Sequence, residues 1–332
     1  VAEARRIRPA RTATVAVAAV AIIALLAILA PAAMAGGLLV AWVTALSATT
    51  GAGVWLLIAR LTGGVWPEAG GTTLPALARA TPLVAPFGVL VFLAGPLLYP
   101  WWQGAEGLRG EIYLVPWSFA LRGAAILALW SLIGWLAPRR PAPVPAALLL
   151  TGYGITVGVA GLDWILSRDP AMLSTTFGML LAAMQLGIAL AFCAALGLDT
   201  RRARAVADWG GLLLACCLGA FYLAAMQFLV SWSGNLPFKA AWYGARADGL
   251  GTALIALTVI LGVLVPFAAL IRTDRRGSDA TLRQVGTVVL AAAVLHILWL
   301  AVPEAPLPAL LGAAAILTLL ALAALTWSGR DG

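Results

Sequence analysis

The chain has 332 residues, 63% of them hydrophobic and only 10% charged, with a formal net charge of +8. A soluble domain carries about a quarter charged residues, so an ordinary soluble enzyme is excluded. Apolar runs of 18 or more residues recur, the mark of transmembrane helices and not of the ~10-residue alternating strands of an outer-membrane barrel. The expected fold class is therefore all-α: a polytopic membrane protein of about ten transmembrane helices.

Taken in chain order, Arg5, Arg6, Arg8 and Arg11 precede a first apolar run over 13–30, which leads to Ala33-Met34-Ala35. That pattern has the outline of a signal peptide. Because many spans follow, it is read as an uncleaved first span. The second and third spans are expected over 37–59 and 82–99, with Pro86 and Pro96 in the third. A fourth over 113–136 carries Arg122, and a fifth over 144–166 ends near Asp163. The sixth, 174–196, holds Gln185. The seventh, 208–232, begins at Asp208 and holds Gln227. The eighth, 250–271, contains Pro266. The ninth, 282–302, carries His296, the only histidine, and the tenth covers 306–326. Pro31, Gly63-Gly64, Pro138, Pro141, Pro170, Pro237, Gly277 and Pro303 punctuate the runs. Between the fifth and sixth, Arg168 is placed to pair locally with Asp163 or Asp169.

Basic residues divide unequally between the two sides of this layout. Sixteen of the 21 fall on the side of the N-terminus, four on the other, and Arg122 lies within a span. Arginine-rich short loops stay cytoplasmic, so both termini are expected there; with Lys239 the only lysine, the usage is that of a GC-rich bacterial genome, and a bacterial cytoplasmic membrane is expected. The same rule accounts for the net charge without a nucleic-acid partner. The opposite, outer face is rich in Trp, Tyr and Arg, a mixture that interfaces favour. Trp101, Trp102, Arg109, Arg168, Asp169, Trp232, Trp242 and Arg246 are its candidate partner contacts. An ordinary interfacial aromatic belt explains the tryptophans equally well.

Ionisable or amide groups inside the membrane are costly and draw attention. Arg122, Asp163, Gln185, Asp208, Gln227 and His296 are the candidates for a proton path or a quinone environment. Hydrogen bonds between helices are the plainer reading of the same set. A single histidine forbids bis-histidine haem ligation. Cys193, Cys216 and Cys217 sit in apolar runs without metal-ligand spacing, so no metal site and no catalytic residue is expected in this chain.

Several segments carry a family resemblance: "LIARLTGGVWPEA" (57–69), "LYPWW" (98–102), "EIYLVPWSFALRGAAILALW" (111–130), "DWILSRDPAMLSTTFGMLLAAMQLG" (163–187) and "FYLAAMQFLVSWSGNLPFKAAWYGAR" (221–246). Their order and spacing resemble the ActF-like membrane component of alternative complex III, a quinol:cytochrome c oxidoreductase. That component falls within the polysulfide-reductase-type, NrfD-like integral membrane proteins. The resemblance implies two four-helix bundles, 37–166 and 174–302, flanked by helices 13–30 and 306–326. It implies a subunit of a quinol-oxidising respiratory complex that is not catalytic alone. Partners would be other membrane subunits and periplasmic iron–sulfur and cytochrome c type proteins, or a terminal oxidase. Haem and iron–sulfur clusters would sit in those partners, and only quinol or quinone would meet this chain. Positions matching the family's polar set are Arg122, Asp163, Asp169 and Gln227. The chain departs from the family at Gly110-Glu111, Asp169-Pro170-Ala171 and Phe238-Lys239, which points toward a different or reduced assembly. A secondary transporter and a purely structural assembly subunit remain the alternative readings.

Overall fold

In a bilayer the backbone has no water to bond with, so long apolar runs satisfy their own N–H and C=O groups by forming helix. The computed structural model describes residues 9–104, 109–170 and 172–328, and among these no β-strand occurs. Ten helices among the described residues are long and apolar enough to cross a membrane. They are α1 (Thr12–Leu29), α2 (Pro31–Thr62), α3 (Thr73–Leu93), α4 (Pro116–Arg139), α5 (Pro143–Arg168), α6 (Phe177–Leu196), α7 (Ala203–Ser233), α8 (Gly249–Leu270), α9 (Asp279–Ala301) and α10 (Pro306–Ala324). The chain is an all-α, multi-pass membrane protein. Of the leading arginines Arg5, Arg6 and Arg8, as well as the Arg11 side chain and Arg330, lie outside the described residues, as do residues 105–108 and Ala171.

Nine spans fall within a few residues of their expected positions, allowing for fraying and longer ends. The third does not: it begins at Thr73, nine residues before the expected start at 82. Pro82, which reads as a boundary in the sequence, lies inside the span. Pro82 and Pro86 each open a new short segment, Thr81–Val84 and Ala85–Phe87, because proline has no N–H to continue the preceding helix. The apolar run continues past Leu93, but Gly95–Leu98 is only a separate turn and Tyr99 is extended. Helix α8 is interrupted differently. Residues Ile260–Leu264 form a π-helical turn just before Pro266, whose missing donor displaces the regular ladder.

Helix α2 is the hub. It packs against α3, α4, α5, α6, α9 and α10, while α1 leans on α10 and α2. About 78% of the apolar window of α2 is buried, against 6% for α1. Small residues allow the close approach, as is usual where lipid gives helices no hydrophobic reason to associate. A Cβ at Gly51 would lie 2.2 Å from the Gln185 carbonyl oxygen on α6, and one at Gly37 would lie 2.6 Å from the Ala309 oxygen on α10. Two indoles then tie onto the backbone of α6: Trp55 Nε1 donates to Leu186 O at 3.0 Å and Trp209 Nε1 to Leu190 O at 3.2 Å.

The two ends of the bundle differ chemically. At the basic end, Asp199 N donates to Ala69 O at 2.8 Å, Arg202 pairs with Glu68 at 2.8 Å, and Asp279 accepts from Leu198 N and Arg283 Nε. Hydrogen bonds from Arg201 hold the half-buried Asp199 carboxyl down at about 2. At the aromatic end, Arg168 donates to Leu98 O at 2.7 Å and pairs with Glu304, clipping the end of α5 to the segments that follow α3 and α9.

Candidate functional site

A charged group within a span must find a partner, because isolated burial costs several kcal/mol. Arg122 stands two turns into α4 and Asp163 near the end of α5. They pair through Arg122 Nε and Asp163 Oδ2 at 2.7 Å. Arg122 Nη1 also donates to Ser118 Oγ at 2.6 Å and to Tyr113 O at 3.1 Å. Its guanidinium lies 3.7 Å from the centroid of the Tyr113 ring, a cation–π contact. The Asp163 side chain is 1% exposed and that of Arg122 20%. Arg122 Nη2 and Asp163 Oδ1 are buried without any hydrogen-bond partner.

The pair is one end of a stripe. Tyr153, Thr156, Asp163 and Ser167 recur at helical spacing along one face of α5, with Ala160 the one apolar member between them. Ser167 Oγ donates to Asp163 O. Thr156 Oγ1 accepts from Trp130 Nε1 at 3.0 Å, and Tyr153 OH donates to Gln185 Oε1 on α6 at 2.8 Å. Trp42, Trp130 and Trp164 wall the stripe, with Trp164 ring centroids 4.7 Å from Trp42 and 5.5 Å from Trp130. Polar side chains thus run from the α5–α6 contact to the buried ion pair.

A second feature lies among α6, α7, α8 and α9. These helices enclose a cavity of about 670 Å³, closed over by the short helix Pro237–Gly244. Leu180, Met184, Phe221, Phe228 and Val289 make most of its wall apolar. Gln227, Ser231, Tyr243 and His296 supply the polar points. Gln227 Oε1 accepts from Ser174 Oγ at 3.0 Å, and Tyr243 interacts with both Gln227 and Ser231. His296 faces the cavity beside Trp299, their ring centroids 6.4 Å apart.

Arg246 also borders this cavity, and each of its three guanidinium nitrogens donates to a backbone carbonyl. It bonds Trp299 O at 3.1 Å, Leu300 O at 2.9 Å and Trp242 O at 2.9 Å, and stacks 3.7 Å over the Trp242 ring. The side chain therefore caps the C-terminal carbonyls of α9, where a cation also suits the helix dipole. Burial pulls its basicity down to about 10, which leaves it charged at neutral pH.

The candidate residues thus sort by position. Arg122 and Asp163 meet, Gln185 joins them through the α5 stripe, and Gln227 and His296 share the cavity. Asp208 stands exposed toward the basic end of α7, apart from both. Among the candidate contact residues, Trp101, Trp242 and Arg246 are turned inward and buried, and Trp102 stacks with Tyr99 and meets Phe92 edge-on. Trp232 is 75% exposed, whereas Arg168 and Asp169 are half-buried. The Arg109 side chain lies outside the described residues. Arg168 does not pair with Asp163, as local spacing suggests: Asp163 takes Arg122 and Arg168 takes Glu304. Ser231, Tyr243 and Glu304 carried no signal of their own in the sequence; the α5 spacing of Tyr153, Thr156 and Asp163 did.

Among the described residues no three His, Cys, Asp or Glu side chains come together to hold a metal ion. No protein-family model matches the chain, and no curated protein matches it. Fold and site define a polytopic helical membrane protein with an embedded ion pair and an apolar cavity.

Proposed function

We propose that this protein is an integral membrane subunit of a quinol-oxidising electron-transfer complex of the alternative complex III type. It would sit in a bacterial cytoplasmic membrane with the basic end cytoplasmic. The observation that carries the reading is the α5 polar stripe ending in the Arg122–Asp163 pair, whose two members lie in segments that resemble that family. Proton release must accompany quinol oxidation, and a line of hydroxyl, amide and ionic groups through an apolar bundle suits proton movement. The unpartnered Asp163 Oδ1 and Arg122 Nη2 leave bonding capacity for a water between them and the rest of the stripe. Redox centres belong to partner subunits docked on the aromatic end, where Trp117 and Trp232 are exposed. The two four-helix units of the resemblance, 37–166 and 174–302, belong to the same proposal.

The interruptions of α3 and α8 favour a second reading, a secondary transporter. Transporter sites gather polar groups at their broken helices. Here the π turn Ile260–Leu264 is wholly apolar, which sets this reading second.

The test is purification of the tagged chain in mild detergent from its own membranes, with mass spectrometry and a reduced-minus-oxidised spectrum. Haem and iron–sulfur proteins that co-purify in fixed ratio support the proposal. A colourless chain without partners, moving a solute across liposomes, refutes it in favour of the transporter.

A further inference from the structure

The ion-pair stripe leaves the cavity among α6–α9 without a role. Its volume of about 670 Å³ falls inside the ~300–1,000 Å³ range of small-molecule sites. Depth is the first clue to its occupant. The lining runs from Val289 to Leu300 on α9 and from Thr252 to Val263 on α8. At 1.5 Å per residue each stretch is about 16 Å long. The hydrocarbon core of a bilayer is about 30 Å thick, so one leaflet spans about 15 Å. The cavity therefore reaches from the aromatic end to mid-membrane, the depth of one leaflet's acyl chains. Ile188, Val263 and Val289 keep its deep part apolar.

The second clue is the side opening. Helix α7 packs on α8 mainly through the π turn and the half that follows it. Phe221, Phe228 and Trp232, large exposed side chains of α7, also border the cavity. The space thus opens onto the bilayer between α7 and the first half of α8, and a molecule enters it from lipid and not from water. The π turn contributes Gly262 and Val263 to the lining, so the local unwinding of α8 shapes the deep end.

The third clue is the order of the polar groups. Arg246 stands at the aromatic end. A guanidinium carries five N–H donors. Three of them meet carbonyls here, so Nη1 and Nη2 each keep one N–H. Among the described residues no carboxylate lines the cavity, and Asp169 and Glu304, whose field reaches Arg246, lie outside the lining. A charged guanidinium bordering an apolar space suits an anion such as a phosphate. His296 stands four residues deeper on α9 than Leu300, about 6 Å. It makes no hydrogen bond among the described residues, and a neutral imidazole offers one donor and one acceptor. The occupant therefore needs an anionic group at the mouth, an oxygen acceptor one step below it, and a long apolar tail. A fatty acid ends at its carboxylate and leaves His296 unpaired. A quinone brings no charge to Arg246. A glycerophospholipid carries phosphate, ester oxygens and acyl chain in the required order.

We propose that this cavity is a lipid site. A glycerophospholipid from the leaflet at the aromatic end places its phosphate beside Arg246, an ester oxygen on His296 and one acyl chain in the apolar bore. Its second chain stays in the bilayer along Phe221, Phe228 and Trp232. The lipid then acts as a wedge that keeps α7 and the first half of α8 apart. The assignment rests on the cavity and is independent of the redox reading above.

The test is native mass spectrometry of the full chain in detergent, titrated with phosphatidylglycerol, with diacylglycerol of the same chains, and with oleate. Wild type is expected to hold one phosphatidylglycerol per chain at detergent concentrations that strip surface lipid, and to hold neither of the other two. An ether-linked phosphatidylglycerol, which lacks the ester carbonyls, should bind about fivefold less tightly, the worth of one hydrogen bond. His296→Leu should erase that difference. Ala293→Trp, which puts an indole into the cavity near His296, should abolish the bound lipid. Ala224→Trp, on the α7 wall, repeats the block should the first variant fail to give a monodisperse protein. The ester–ether comparison needs no variant at all. No lipid held by wild type, diacylglycerol or oleate held as tightly as phospholipid, or equal binding of ester and ether lipid overturns the proposal. So does undiminished binding by a folded blocking variant, or a quinone that co-purifies in the site and excludes phospholipid.

Discussion

Removing Arg122 should damage the protein more than removing the charge of Asp163, and the reason is asymmetry of burial. In Arg122→Leu, the carboxylate at 1% exposure loses its 2.7 Å partner, and its other oxygen already has none. Breaking a buried pair from one side costs about 3–5 kcal/mol, because the remaining charge is left uncompensated. That shifts the unfolding equilibrium by roughly two to four orders of magnitude. In Asp163→Asn, the Arg122 side chain is 20% exposed and keeps Ser118 Oγ, Tyr113 O and the Tyr113 ring. Three surviving contacts hold its loss to about 1–3 kcal/mol, the cost of one charged hydrogen bond. The double variant Arg122→Leu, Asp163→Asn buries no charge and should recover most of the single-variant loss. The assay is reversible unfolding in mixed micelles, followed by tryptophan fluorescence, for all four members of the cycle. A loss below about 0.5 kcal/mol for Arg122→Leu would refute the reasoning, as would a double variant as damaged as the sum of the singles.

Gly51→Ala should separate α2 from α6, since its Cβ would lie 2.2 Å from backbone oxygen that cannot rotate away. A loss of at least the ~1–3 kcal/mol typical of overpacking is expected in the same unfolding assay. Arg246→Lys should fail to rescue Arg246→Ala, because one ammonium cannot reach the Trp242, Trp299 and Leu300 carbonyls together; comparison of their melting temperatures decides this. Asp199 is an acid whose folded value is depressed. Its contact with Arg201 should therefore be intact above the ordinary carboxylate value and lost only as pH falls through about 2. Carboxyl chemical shifts of labelled protein read this directly, and loss of the contact near pH 4 would contradict it.

Long apolar runs bounded by proline and glycine made the spans legible, because only a helix satisfies such a run in a bilayer. The third span slipped for a local reason. Its hydropathy continues to Tyr99, past the break at Gly95, and Pro82, which reads as a helix boundary, falls inside the span. Arg122 and Asp163 stood out one by one, but 41 positions separate them in the chain. Their pairing is a property of how α4 meets α5. The cavity was silent for the opposite reason: four spans contribute ordinary Leu, Phe, Ala and Val side chains, and only their divergence makes a space. Aromatic residues at span ends were ambiguous in kind. Trp232 faces outward and Trp242 inward, and a belt position and a core position read alike in a sequence.

The central place of α2 has a consequence for how the protein comes to exist. All six helices that cover it, α3, α4, α5, α6, α9 and α10, follow it in the sequence, so each leaves the ribosome after it. Until then its inward face, with Ser47 and Thr50 lacking any hydrogen-bond partner even at completion, stands open to lipid. Each pause or truncation in synthesis therefore leaves a polar, glycine-rich surface available to any passing helix. Quality control could recognise a copy still lacking those covering helices by that surface alone.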